Sequence, residues 1–104
     1  MPTSSSGAES SLEPYREEPV GLDSVALRVA LGNNIRIVRE RSGMTQTDLA
    51  RLCHVTRETI YKLEGGKQEA RFRTVAMLAV AMRVPIADFI EGLDDVIRRR
   101  ADTD

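Results

Sequence analysis

Apolar residues recur at helical spacing along most of the chain, in runs separated by polar turns. Leu27, Leu31, Ile35 and Val38 form one stripe, which predicts a first helix from about Ser24 to Arg41, capped by Asp23 or Ser24, with Gly43 just past its end. Leu49, Leu52 and Cys53 stand at i, i+3 and i+4 and predict a second helix from Gln46, its inner face on these three, with small Ala50 allowing close packing. Thr45 can cap that helix, with Asp48 as its capping-box partner. After a sharp turn at His54-Val55-Thr56, Thr56 offers a second cap and Ile60 and Leu63 an apolar pair, giving a third helix over Arg57–Glu64 that Gly65-Gly66 stops. Val75, Leu78, Ala79 and Met82 mark a fourth helix. Pro85 can open a fifth, with Ile86, Phe89 and Ile90 facing inward. Leu93, Val96 and Ile97 then continue the apolar spacing in a short C-terminal helix, with Asp94-Asp95 in its first turn and Arg98-Arg99-Arg100 in its last, as a helix dipole favours.

Two short helices joined by a three-residue turn constitute a helix-turn-helix, a pattern that points to DNA. With about 100° per residue, burying Ile60 and Leu63 turns Glu58, Tyr61 and Lys62 to the opposite side and leaves Arg57 at the exposed N-terminal edge. A recognition helix enters the major groove N-terminus first, so Arg57, Glu58 and Lys62 are the expected readers of base edges, with Tyr61 nearer the rim. Arg and Lys match the guanine acceptors, and Glu can accept from a cytosine amine. Thr45, Gln46 and Thr56, at the starts of the two helices, are placed to meet phosphates.

Composition narrows the field. At 104 residues, 41% apolar, with four aromatics and no Trp, the chain can bury one modest core of Leu, Ile, Val, Met and Ala. No apolar run approaches membrane length, and the N-terminus has neither basic flank nor hydrophobic stretch, so a cytoplasmic location is expected. Cys53, the single cysteine, falls on an apolar face and reads as core filler. One His adjacent to one Cys cannot form a catalytic pair, and there is no phosphate-binding glycine loop and no zinc spacing. An enzyme is not expected, nor a cofactor, metal or small-molecule ligand. The formal net charge of −1 conceals a division: residues 1–23 carry −4, residues 24–92 carry +4 and residues 93–104 carry −1. The acidity sits in a Ser-, Glu- and Pro-rich leader without apolar periodicity, expected to be disordered.

Leu31-Gly32, Ile35, Arg39-Glu40, Thr45-Gln46, Leu49-Ala50, Val55, Ile60, Leu63-Glu64, Gly66-Lys67 and the closing Asp88-Phe89-Ile90-Glu91-Gly92 together resemble the Cro/C1-type (XRE) helix-turn-helix repressors. The resemblance covers residues 31–92. It implies an all-α, compact five-helix lambda-repressor-like domain, here with a short extra C-terminal helix. It also implies that Arg39 pairs with Glu64 to tie helix one to helix three, and that the loop after Gly66 follows the DNA backbone, making Lys67 and Arg71 phosphate candidates. Two turns depart from the family pattern, which has Gly where this chain has His54 and Arg83. Both sites are expected to need a positive φ, at a cost on the order of 1–2 kcal/mol.

The chain therefore divides into a leader (1–22), a helix-turn-helix domain (23–92) and a C-terminal helix with tail (93–104). The expected function is that of a sequence-specific regulator on double-stranded DNA, a repressor acting as a homodimer. Two alternatives are the DNA-binding antitoxin of a toxin–antitoxin pair, which would add a protein partner, and an interaction module that has lost DNA binding.

Overall fold

Local capping decides where each helix begins. The computed structural model describes residues 21–102, and of residues 99–102 the backbone alone. The expected leader up to residue 20, the side chains of Arg99 and Arg100 and the last two tail residues lie outside the described residues. Helix α1 spans Ser24–Arg41, and the Asp23 carboxylate accepts from the backbone N–H of Ala26 at 3.0 Å. Helix α2 spans Gln46–Cys53 behind a complete capping box: Thr45 Oγ1 accepts from the Asp48 N–H at 3.0 Å, and the Thr45 N–H donates to Asp48 Oδ2 at 2.9 Å. Helix α3 spans Arg57–Glu64, where Thr56 Oγ1 accepts from the Thr59 N–H at 3.1 Å. Helix α4 covers Phe72–Met82 and helix α5 Leu93–Asp102.

The expected fifth helix is a single 3₁₀ turn, Ile86–Phe89. With three residues per turn, Ile86 and Phe89 share a side and Ile90 swings away. Phe89 is accordingly fully buried, Ile86 half-buried, and Ile90 exposed, contrary to the expectation that it faces inward. Asn34 pins this turn to α1, its amide donating to the carbonyls of Phe89 and Glu91 at 2.8 and 2.9 Å.

Phe89, Ile35, Leu49, Ile60 and Leu78 are the largest fully buried side chains, one from the turn and one from each of α1 to α4. They form the centre of one core. Leu52 does not join it: it is 55% exposed, and the buried stripe of α2 is Leu49, Ala50 and Cys53. Leu52 lies roughly 100° from the middle of that stripe, turned away from α3 and α4, the helices on which α2 packs.

His54 and Arg83 both adopt the left-handed conformation, with φ of 57° and 59°. In each case the geometry closes a helix end. Val55 N–H reaches the Ala50 carbonyl at 3.0 Å, and Val84 N–H reaches that of Ala79 at 3.1 Å. Two glycines permit a different closeness. A Cβ on Gly32 would sit 2.3 Å from the Leu63 carbonyl oxygen, and one on Gly66 would sit 2.7 Å from the Val29 backbone. Their absent side chains let α1 rest directly on the C-terminal end of α3.

Gly32→Ala should therefore lower stability by about 1–3 kcal/mol despite alanine's better helix propensity, because backbone would have to move; denaturant unfolding measures it. The capping box gives a pH signature. Hydrogen bonds from the Thr45 backbone and side chain hold the Asp48 carboxyl below its ordinary value of 3.8. A carboxyl whose folded value is depressed contributes above its unfolded value and loses that contribution as pH falls through the folded one. The stability gap between the native chain and Asp48→Ala should stay constant above about pH 5 and shift in the variant's favour below 3.8, followed by urea melts across that range.

Candidate nucleic-acid interface

Burying Ile60, Leu63 and Glu64 of α3 leaves Arg57, Glu58, Tyr61 and Lys62 exposed. The exposed side of α3 begins at a free helix N-terminus, and so does α2. The first N–H groups of each helix, beyond those taken by the Thr45 and Thr56 caps, have no intrahelical partner and favour an anion. Both threonine oxygens are occupied as cap acceptors, and Thr56 Oγ1 also lies 3.0 Å from Thr59 Oγ1. The Thr45 hydroxyl keeps its hydrogen for another acceptor.

The exposed residues are not independent. Lys62 Nζ lies 3.5 Å from Glu58 Oε2 one turn earlier, an exposed pair that leaves this part of the face near neutral. Lys67 places its ammonium 5.6 Å from the centroid of the Tyr61 ring. Arg57 Nη1 donates to Gln46 Oε1 at 2.9 Å, which links the starts of α3 and α2. Arg71 stands apart from these contacts, exposed at the N-cap of α4.

Behind this face lies the buried pair. Arg39 Nε donates to Glu64 Oε2 at 2.6 Å and Arg39 Nη2 to Oε1 at 3.0 Å, with side chains only 9% and 4% exposed. The remaining guanidinium nitrogen, Nη1, donates to the Met44 carbonyl at 2.8 Å, so the charge is bonded on every side that faces protein. The hydrogen bond to Glu64 pushes the Arg39 guanidinium above its ordinary value, outweighing the opposite effect of burial.

Two residues at this surface, Arg36 and Arg28, escaped the reading of the sequence, and a third, Gln46, makes a contact that the reading did not foresee. Arg36 lines a shallow cleft with Gln46, Tyr61, Glu64, Gly65 and Lys67, while bonded to Asn33 Oδ1 at 2.6 Å and Glu40 at 3.2 Å. Its place one turn before Arg39 on α1 is the signal that would have found it. Arg28 Nε donates to the Gly66 carbonyl at 3.2 Å and steadies the loop that carries Lys67. Gln46 was read as a backbone contact alone, yet its Nε2 donates to Glu64 Oε1 at 3.0 Å. Cys53 is buried and burial pushes its thiol up, as suits a core position. Among the described residues no three His, Cys, Asp or Glu side chains gather to hold a metal ion.

Comparison with known proteins agrees with this geometry. Residues 30–90 match the family model described as "Helix-turn-helix domain". Over 55 residues, 53% of this chain, the sequence is 40% identical to an HTH-type transcriptional regulatory protein of Methanothermobacter thermautotrophicus, and the match spans 18% of that protein's length. The clp gene regulator ClgR from Corynebacterium glutamicum is similar in structure, with a TM-score of 0.60 and 30% identity, over 70% of this chain and 87% of that one. The restriction-modification controller protein C.AhdI from Aeromonas hydrophila is also similar, with a TM-score of 0.59 and 25% identity over 62% of this chain and 97% of its own. With the match covering more than half of the chain and the capped helix pair in place, the protein belongs to the XRE/Cro-C1-like family of helix-turn-helix transcriptional regulators.

Proposed function

We propose that the chain is a sequence-specific double-stranded-DNA-binding regulator, a repressor that occupies its operator as a homodimer. The carrying observation is the exposed side of α3, where Arg57, Glu58, Tyr61 and Lys62 stand opposite the buried Ile60 and Leu63 at a helix whose N-terminus is capped and open to solvent. That side fits a major groove, Arg57, Glu58 and Lys62 reaching base edges and Tyr61 the rim. Thr45, Gln46 and Thr56 hold phosphates at the two helix starts, and Lys67 and Arg71 hold them along the following loop. The regulator and controller among its structural relatives support a regulatory role.

One small domain reads too few base pairs for specificity, and two copies meet half-sites about one helical turn, ~34 Å, apart. The C-terminal stripe of Leu93, Val96 and Ile97 is only partly free for self-association, since α5 packs on α1 and Leu93 and Val96 are half-buried. Ile97 remains exposed, as do Ile90 and Phe72, the last at 77%. This broader apolar surface is the self-association face we assign.

Selection from a random duplex pool should return a two-fold site with at least one G·C pair per half-site. Affinity should fall with salt at a slope of about −4 on log–log axes if each protomer engages Lys67 and Arg71, at roughly −0.9 per phosphate neutralised. Arg57→Ala should cost about 1–3 kcal/mol and relax preference at one base position. A consensus unchanged at every position would remove Arg57 from the readers. For the dimer, sedimentation of Phe72→Glu should show more monomer, and an unchanged profile would exclude this face.

A further inference from the structure

Asn34 on α1 gives both hydrogens of its side-chain amide to residues 55 and 57 positions further along the chain, one to the Phe89 carbonyl at 2.8 Å and one to the Glu91 carbonyl at 2.9 Å. Both acceptors lie where the 3₁₀ turn Ile86–Phe89 ends, and the last carbonyls of a helical turn have no N–H of their own turn to meet. Carbonyl oxygens only accept, so the amide has one orientation here. Reversing it would set an oxygen against two oxygens.

Packing does not direct the link beyond that turn. Phe89 is fully buried and plugs the turn into the core, while α5 begins at Leu93 and packs on α1. Between them run Ile90, Glu91 and Gly92, all exposed. Gly92 takes a φ of 81°, and a Cβ there would meet nothing within 4 Å. The link's own backbone bonds, from Ile90 N–H to the Ala87 carbonyl at 3.2 Å and from Leu93 N–H to the Ile90 carbonyl at 3.1 Å, shape it locally. The two bonds from Asn34 set its direction relative to α1.

Ile90 is the residue this link carries. With Phe72, Leu31, Val75, Ile86 and Leu93 it lines an apolar hollow of about 250 Å³, and Ile90 and Phe72 belong to the self-association face assigned above. The same helix α1 also grips the DNA-facing end: five residues after Asn34, Arg39 holds Glu64 at the end of α3. One helix thus fastens both the link that would meet a second copy and the helix that would meet DNA. Each base pair added between half-sites moves one of them by about 3.4 Å and rotates it by roughly 34°. A face free to tilt against α1 cannot hold that register.

We propose that Asn34 is a positioning residue for half-site spacing, in which its two N–H groups fix the Ile90 link against α1 and so fix the distance and angle at which two copies present α3. This role rests on the reading of the Phe72, Ile90 and Ile97 surface as the self-association face. It differs from base reading, because Asn34 acts through the paired copies and touches no base edge.

The test measures the affinity of the full chain, Asn34→Ala and Asn34→Gln for three kinds of duplex: the selected two-fold site, the same half-sites moved one base pair closer or further apart, and the site with one base pair of a half-site exchanged. Asn34→Ala should cut the preference for the native spacing by about five- to tenfold, near the lower end of what two ordinary hydrogen bonds are worth. Preference among bases within a half-site should stay unchanged. Asn34→Gln keeps both N–H groups one carbon further out and should recover part of the spacing preference. Equal loss at every spacing, with the preference between spacings intact, would overturn the proposal and leave Asn34 a contributor to stability alone.

A measurement without DNA follows the link itself. Hydrogen exchange at the backbone N–H groups of Ile90 and Leu93 should quicken in Asn34→Ala by about fivefold, while Ile35 and Leu78 in the core keep their protection. Unchanged exchange at Ile90 and Leu93 would also overturn the role. Should Ile35 and Leu78 lose protection as well, Asn34→Ser, whose hydroxyl still donates one bond, takes the place of Asn34→Ala in both measurements, and the same outcomes decide. Sedimentation separates this role from the reading beneath it. If Phe72→Glu releases no monomer, the self-association face fails and the spacing role falls with it; if it releases monomer while Asn34→Ala keeps the native spacing preference, the spacing role alone falls.

Discussion

The buried pair of Arg39 and Glu64 is the constraint on which the arrangement of helices depends. It joins the end of α1 to the end of α3 across the interior, and its third guanidinium nitrogen fixes the turn before α2 through the Met44 carbonyl. Two charges are tolerable there only because each is bonded, and loss of one partner strands the other at a cost of roughly 3–5 kcal/mol. That is much of the stability of a domain this small. The glycines at 32 and 66 belong to the same constraint, because backbone contact between α1 and the end of α3 brings the two side chains within reach.

How much of this the sequence discloses follows from how local each cause is. The starts of α2 and α3 are legible because a capping threonine and the residue three positions on decide them, and no distant contact has to be known. The left-handed turns at His54 and Arg83 were legible through the resemblance alone, which has Gly at both positions, and the backbone adopts that conformation with the bulkier residues in place. Leu52 was misplaced because eight residues fit more than one apolar stripe, and only the position of the neighbouring helices selects Leu49, Ala50 and Cys53. Ile90 failed likewise, through a 3₁₀ period that a four-residue segment cannot announce.

The surface is legible in membership and illegible in contacts. Exposure of Arg57, Glu58, Tyr61 and Lys62 follows from burying Ile60 and Leu63 on one helix, a matter of angle alone. The bond between Arg57 and Gln46 joins residues 11 apart, and that between Gln46 and Glu64 joins residues 18 apart. Their meeting depends on how α2 crosses α3, which the packing of Leu49, Ala50 and Ile60 settles and no spacing reveals.

These contacts differ in how readily a ligand can exchange them. The Glu58–Lys62 pair is exposed at both ends, and such pairs are worth under about 1 kcal/mol, so either side chain can leave the other at little cost. Lys67 over Tyr61 is a similarly open contact at the edge of the cleft. Gln46 is different, because its inner partner is buried and already fixed by Arg39. The exposed side of α3 thus combines adaptable charges along its length with one anchored group at its leading end.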